Sequence, residues 1–131
     1  MILTPKELHI IDLKYGLGVP VSAIDNPQLK LYGIGAINQY DELYDFEKVI
    51  LHIAQVRLDY GFSSYEIARA DLEKWALDVK KAAESIYAGN VNYQPGEEQC
   101  RWCEGRSICA KRWELLFAPL KKIIDERSNE L

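Results

Sequence analysis

The stretch L-H-I-I-D-L-K-Y-G, Leu8 to Gly16, decides how the rest of the chain is read. Its apolar approach predicts a buried or half-buried strand from Leu8 to Tyr15, stopped by Gly16-Leu17-Gly18-Val19-Pro20. Alternate residues of a strand share a face, so Asp12 and Lys14 stand together and Leu13 turns away. The pair is either a surface ion pair on a half-exposed strand or half of a metal-dependent phosphodiester-cleaving site. The second reading has a chemical reason. Cleaving a phosphodiester takes carboxylates to hold a divalent metal, and a cation beside the developing negative charge.

Working outward, D-N-P-Q-L-K-L-Y-G-I-G-A-I predicts a helix. Asn26 suits the N-cap, and Pro27 falls at the first helical position, where its missing N–H costs nothing. Leu31, Ile34 and Gly35 recur at helical spacing, with Gln28 and Tyr32 on or beside that stripe. Gly33 and Gly35 point to close packing against a neighbour. The β-branched run Val49 to Leu58 predicts a central strand, and Phe62 to Ala68 its hairpin partner, turned by Asp59-Tyr60-Gly61. Asp71 to Tyr87 predicts an amphipathic helix with Leu72, Trp75, Ala76, Val79 and Ala83 inward, ended by Gly89-Asn90. A loop follows through N-Y-Q-P-G-E-E-Q. A last helix spans Ser107 to Arg127, with apolar positions Ile108, Trp113, Leu116, Leu120 and Ile124 and with Pro119 inside it. The fold class is mixed α/β of the α+β kind: a small mixed sheet with flanking helices, then a cysteine loop and a C-terminal helix.

At 131 residues and 48% apolar, the chain has the size and core of one domain, 1–131. Within it, 1–90 holds the core and 91–131 the cysteine loop and last helix. A net charge of −4 does not advertise nucleic-acid binding, although a sum says nothing about distribution. No apolar run approaches the roughly 20 residues that span a bilayer, and M-I-L-T-P-K-E lacks the basic start of a signal peptide. The reading is a cytosolic protein without a membrane partner.

In such a compartment, three cysteines within ten positions read as metal ligands rather than as disulfide partners. Cys100, Cys103 and Cys109 have C-x2-C-x5-C spacing, in which two thiolates grip one ion from a tight turn and a third returns from the following helix.

In order, I-D-L-K-Y-G and N-P-Q-L-K-L-Y resemble the PD-(D/E)xK nuclease superfamily, in its RecB-type exonuclease branch. The resemblance implies a nuclease-like core in which Asp12 binds Mg²⁺ or Mn²⁺ and Lys14 is the catalytic lysine. Gln28 then holds the substrate or the site, and Tyr32 supports it. For Cys100, Cys103 and Cys109 it implies an iron–sulfur cluster, whose fourth cysteine lies far upstream in that branch. The likeness is closer still to a phage and prophage family of nuclease-like proteins. It extends through Gln55-Val56-Arg57-Leu58-Asp59 and the loop Pro95 to Cys103, and covers about Leu3 to Arg112.

The chain departs from that pattern in two places. The family's second carboxylate lies on a G-T-A-D-type segment just before the D-x-K strand, and Met1-Ile2-Leu3 stand where that segment should end. Glu7 is the one acid before Asp12, and it falls on the opposite strand face. The upstream cysteine and N-terminal helix are missing too. A single carboxylate holds Mg²⁺ poorly. Three thiolates still suit Zn²⁺, with His9, His52, water or a neighbouring molecule as fourth ligand, or they stay unliganded; His52 itself reads as a satisfied core or edge residue.

The expectation is therefore a catalytically incomplete, nuclease-derived module of viral origin in a bacterial cytoplasm. It binds DNA, or a host or phage protein; an acidic inhibitor of a host defence complex, mimicking DNA, fits the charge. The alternatives are an active Mg²⁺-dependent DNA exonuclease completed by a second chain or a missing N-terminal segment, and a structural or assembly protein on the same scaffold. The exposed strand edge at Leu8 to Tyr15 predicts a homodimer or a partner covering it.

Overall fold

Strict alternation along the strands decides which side of the sheet is dry. The structure, a computed structural model, describes residues 1–59 and 61–128, with backbone only at positions 124, 127 and 128. The chain divides into two compact units, Met1–Ser85 and Ile86–Leu131.

In the first unit, β1 (Ile2–Leu3), β2 (Glu7–Leu13), β3 (Lys48–Ala54) and β4 (Phe62–Ala68) form one sheet in the order β1-β2-β3-β4. The strands β2 and β3 run parallel, and the outer pairs are antiparallel. A parallel pair needs a crossover, supplied here by α1 (Pro27–Tyr40). The helix α2 (Arg69–Tyr87) follows β4 directly. This is a small mixed sheet with flanking helices, an α+β fold. Leu8, Ile10, Val49, Leu51, Ile53 and Ile67 face one way and form the core with Leu29, Ala36 and Ile37 of α1, Leu72 of α2 and Phe46. On the other face Ile11, Leu13 and Phe62 are exposed, and His9, Ile50 and His52 are half-buried.

Asn26 caps α1 as its sequence predicts, its side-chain oxygen accepting from the Leu29 N–H at 3.2 Å, with Pro27 in the first turn. The buried side of α1 is a different one from the Leu31–Ile34–Gly35 stripe. It consists of Leu29, Lys30, Gly33, Ala36 and Ile37, while Leu31 and Gly35 are exposed. Gly33 explains the rotation. A Cβ there would lie 3.2 Å from Leu72 Cδ2 and 3.4 Å from Val49 Cγ1, so the missing side chain lets the helix settle on the sheet. Nothing stands within 4 Å of a Cβ at Gly35, and the expected close packing applies to Gly33 alone.

The strand expected to reach Leu58 ends at Ala54. The chain turns there because the Gln55 N–H donates to the Gly61 carbonyl, and the Leu58 N–H donates to the Gln55 carbonyl at 3.1 Å. The expected hairpin to Phe62–Ala68 is present; Tyr60 of its turn lies outside the described residues. Along α2, Leu72 is buried, Trp75, Ala76 and Val79 are half-buried, and Ala83 is exposed. Gly89, in the left-handed region at φ 81°, follows its last turn.

The second unit holds α3 (Glu97–Arg101), a 3₁₀ turn (Glu104–Ser107) and α4 (Ala110–Ser128). The stretch expected as loop thus contains a short helix, and the last helix starts three residues late and runs on through Pro119. Its Trp113, Leu116 and Leu120 are exposed, as is Ile108 before it, and the side chain of Ile124 lies outside the described residues. Among the described residues no helix is long and apolar enough to cross a membrane.

Candidate functional site

The end of β2 brings the expected residues together. Asp12 is in register with the buried Ile53, on the same face as Leu8 and Ile10. Lys14 lies one step past the strand, where its N–H donates to the Ala54 carbonyl at 2.9 Å and keeps the alternation going. Its ammonium therefore stands on Asp12's face, with Nζ 2.8 Å from Asp12 Oδ2. The Asn26 cap fixes where α1 begins, and so aims first-turn Gln28 at that strand end. Lys14 Nζ donates to Gln28 Oε1 at 3.2 Å, and Gln28 Nε2 donates to the Tyr32 hydroxyl at 2.8 Å. Asp12, Lys14, Gln28 and Tyr32 thus form one continuous polar chain with its outer end open to solvent. Gln28 and Tyr32 are exposed rather than capping or core residues.

Within this chain Asp12 Oδ2 is anomalous. It is buried and accepts no hydrogen bond among the described residues, although Lys14 Nζ is 2.8 Å away. The ammonium is within ion-pair distance of that oxygen.

A residue with no role in the sequence reading holds the surroundings in place. Gln55, only 4% exposed, accepts from the Val21 N–H at 3.0 Å and donates to the Val19 and Gly16 carbonyls at 3.2 and 3.4 Å. It thereby ties the loop after Lys14 to the end of β3. Ser63 adds a tether, its hydroxyl accepting from the Ala23 N–H at 2.9 Å. The signal available in sequence was an amide ending an otherwise apolar strand run. Arg57 sits over the Tyr15 ring, 5.1 Å from its centroid. Lys30, 5% exposed, is a second unanticipated polar residue; its ammonium pairs with Asp25 and lies 4.9 Å from the centre of the Trp75 ring.

Asp12 offers a carboxylate to a metal ion, but Lys14 Nζ already stands 2.8 Å from its Oδ2. Among the described residues no three or more His, Cys, Asp or Glu side chains are gathered so as to hold a metal ion. Glu7 faces away, on the alternate side of β2, as expected. Mg²⁺ needs several oxygen ligands in near-octahedral array. One carboxylate with an ammonium beside it does not fit that requirement.

A family model described as "Protein of unknown function (DUF2800)" matches residues 1–126. The chain belongs to this family. No solved structure matches it.

In this DUF2800 chain the cysteines make a separate feature of the second unit. Cys100 is on α3, Cys103 precedes the 3₁₀ turn, and Cys109 precedes α4. The C-x2-C turn is present, with the Cys103 N–H donating to the Cys100 carbonyl at 3.4 Å. The thiols are all free and do not converge. Cys103 and Cys109 line one hollow with Tyr93 and Ile108, while Cys100 lines another with Arg106 and Arg112. The described arrangement does not fit an iron–sulfur cluster or a closed zinc site, which require ligands meeting at one point.

Proposed function

We propose that this DUF2800 chain is a nuclease-derived nucleic-acid-binding module that lacks complete cleavage machinery of its own. The observation that carries the reading is the Lys14–Gln28–Tyr32 arrangement. It presents a cation, an amide and a phenol at an open strand end, the groups with which proteins contact phosphate and sugar. Gln55 holds the flanking loop, and Arg57 against Tyr15 places a second cation and an aromatic ring near the end of the same two strands. The net charge of −4 limits such binding to this local patch.

The orphaned Asp12 Oδ2 favours one alternative, an active Mg²⁺- or Mn²⁺-dependent DNA exonuclease. In that reading a further carboxylate, from another chain or from sequence outside these residues, completes the ion's ligands beside Asp12. The open edge of β2 offers the place. β1 pairs only with Leu8 and His9, so Ile11 to Leu13 extend past it unpaired, and a strand of a second copy or of another protein docks there.

The test measures binding and degradation of labelled linear DNA, with and without Mg²⁺ or Mn²⁺, for the chain and its Lys14→Ala variant. Binding weakened by Lys14→Ala, without cleavage, supports the module. Lysine-dependent cleavage supports the enzyme instead. A folded chain that neither binds nor cleaves DNA overturns both and directs the search to a protein partner.

A further inference from the structure

The face of the sheet opposite Asp12 and Lys14 carries its own polar cluster. His9 of β2 and His52 of β3 are diagonal neighbours, since His9 is in register with Ile50, and Ile11 with His52. Their rings are 4° from parallel with centroids 5.4 Å apart, and His9 Nδ1 is 3.1 Å from His52 Nε2. Each outer nitrogen also has a partner. His9 Nε2 lies 3.5 Å from Glu7 Oε2, and His52 Nδ1 lies 3.0 Å from the Ser64 hydroxyl. Glu7 is itself held by Lys48 at 3.1 Å, and the Phe62 ring packs 5.9 Å from that of His52.

We propose that His9 and His52 form a binding site for a divalent ion of the zinc class, held between His9 Nδ1 and His52 Nε2. Imidazole nitrogen is a preferred ligand for Zn²⁺, Ni²⁺ and Cu²⁺. Two nitrogens on a tetrahedral zinc ion, each at about 2.0–2.1 Å, stand roughly 3.3 Å apart. The separation of 3.1 Å is within a small side-chain adjustment of that value, so the strands need not move.

The outer partners strengthen the argument. Ligating histidines characteristically donate their other N–H to a carboxylate, a carbonyl or water, which fixes the tautomer and the ring. With the proton on His9 Nε2 directed at Glu7 and that of His52 on Nδ1 directed at Ser64, two lone pairs face each other, and these are the tautomers an ion would select. Without an ion, His52 Nε2–H donates to His9 Nδ1 and the Ser64 hydroxyl donates to His52 Nδ1. Glu7 stands behind His9 and does not join the ligand set, so the pair supplies two ligands and water the remaining ones. This site is independent of the nucleic-acid reading and of the cysteines.

The chain has only two histidines, so imidazole nitrogen signals report this pair alone whatever the thiols bind. Zinc chloride is titrated into the full chain, labelled with ¹⁵N at histidine, above pH 7. The expected result is a joint shift of His9 Nδ1 and His52 Nε2 that saturates at one ion per pair. Glu7→Gln weakens the binding about tenfold, as loss of an outer-sphere partner does. His9→Gln abolishes the His52 response. Imidazole signals that stay unmoved at saturating zinc overturn the proposal, leaving a pair that shares a proton. So does a His52 response that survives His9→Gln. The titration of the unaltered chain decides the matter even if a variant fails to fold.

Discussion

Lys14 Nζ stands 2.8 Å from Asp12 Oδ2 without hydrogen-bonding to it, and donates instead to Gln28 Oε1 at 3.2 Å. The carboxylate and ammonium thus form a half-buried ion pair, their side chains 20% and 29% exposed. Removing the ammonium leaves that half-buried charge unopposed. Lys14→Met is expected to cost about 1–3 kcal/mol at neutral pH, and Asp12→Asn in the same chain to restore most of it. Urea unfolding of both single variants and the double variant checks this; an undiminished loss in the double variant would mean that the lysine stem, not its charge, matters.

Gln55 satisfies three backbone groups of the loop Gly16 to Val21 from one buried side chain. Gln55→Ala strands the Val21 N–H and is expected to cost about 2–3 kcal/mol, since each buried group left unpaired costs about 1–3. Amide exchange locates the damage. Val21 should lose its protection while the β3–β4 ladder keeps its own.

Two glycines should respond oppositely to alanine. At Gly61 a Cβ would run into the Gln55 carbonyl oxygen and stand 2.9 Å from that of Leu58, both backbone atoms. Gly61→Ala is expected to destabilise by about 1–3 kcal/mol or more. Gly35 is helical, exposed and unobstructed, so Gly35→Ala should stabilise by up to about 1 kcal/mol. Thermal unfolding midpoints moving in opposite directions would confirm the pair.

Arg69, at the start of α2, donates from both terminal nitrogens to Asp41 at the end of α1, and from Nε to Glu73 at 2.7 Å. The hydrogen bonds from Arg69 hold the Asp41 carboxyl below its ordinary value of 3.8. A carboxyl depressed in the fold stabilises it fully above that ordinary value and loses the contribution as pH falls below it. Acid titration of stability should therefore show a decline below pH 3.8 that is shallower in Asp41→Asn. Equal slopes for the two chains would show that the pair contributes nothing to folding.

The strand that carries Asp12 and leads into Lys14, the capped helix bearing Gln28 and Tyr32, and the β3–β4 hairpin were legible because each announces itself locally. Alternation, an Asn-Pro cap and a β-branched run need no knowledge of the rest of the chain. What was not legible depended on contacts distant in sequence. The face that α1 buries follows from the fit of Gly33 between Leu72 and Val49, and periodicity favoured the larger Leu31. The early end of β3 follows from Gln55 meeting Gly61 and the loop after Lys14. The pairing of His9 with His52 required the parallel register, which neither strand encodes alone.

That register also sets an order of events in time. The partners His9 and His52 are 43 positions apart, and Gly16 and Gln55 are 39 apart, whereas β3 and β4 meet across one short turn. Hairpins close in microseconds, while a parallel pair waits for its whole crossover to be folded back. Both polar clusters span β2 and β3, or β2 and the helix between them, so neither exists in a chain that has made only its hairpin. The His9–His52 pair should thus form late, as the parallel pair closes, while the Lys14–Gln28 contact needs only β2 and the helix that follows it.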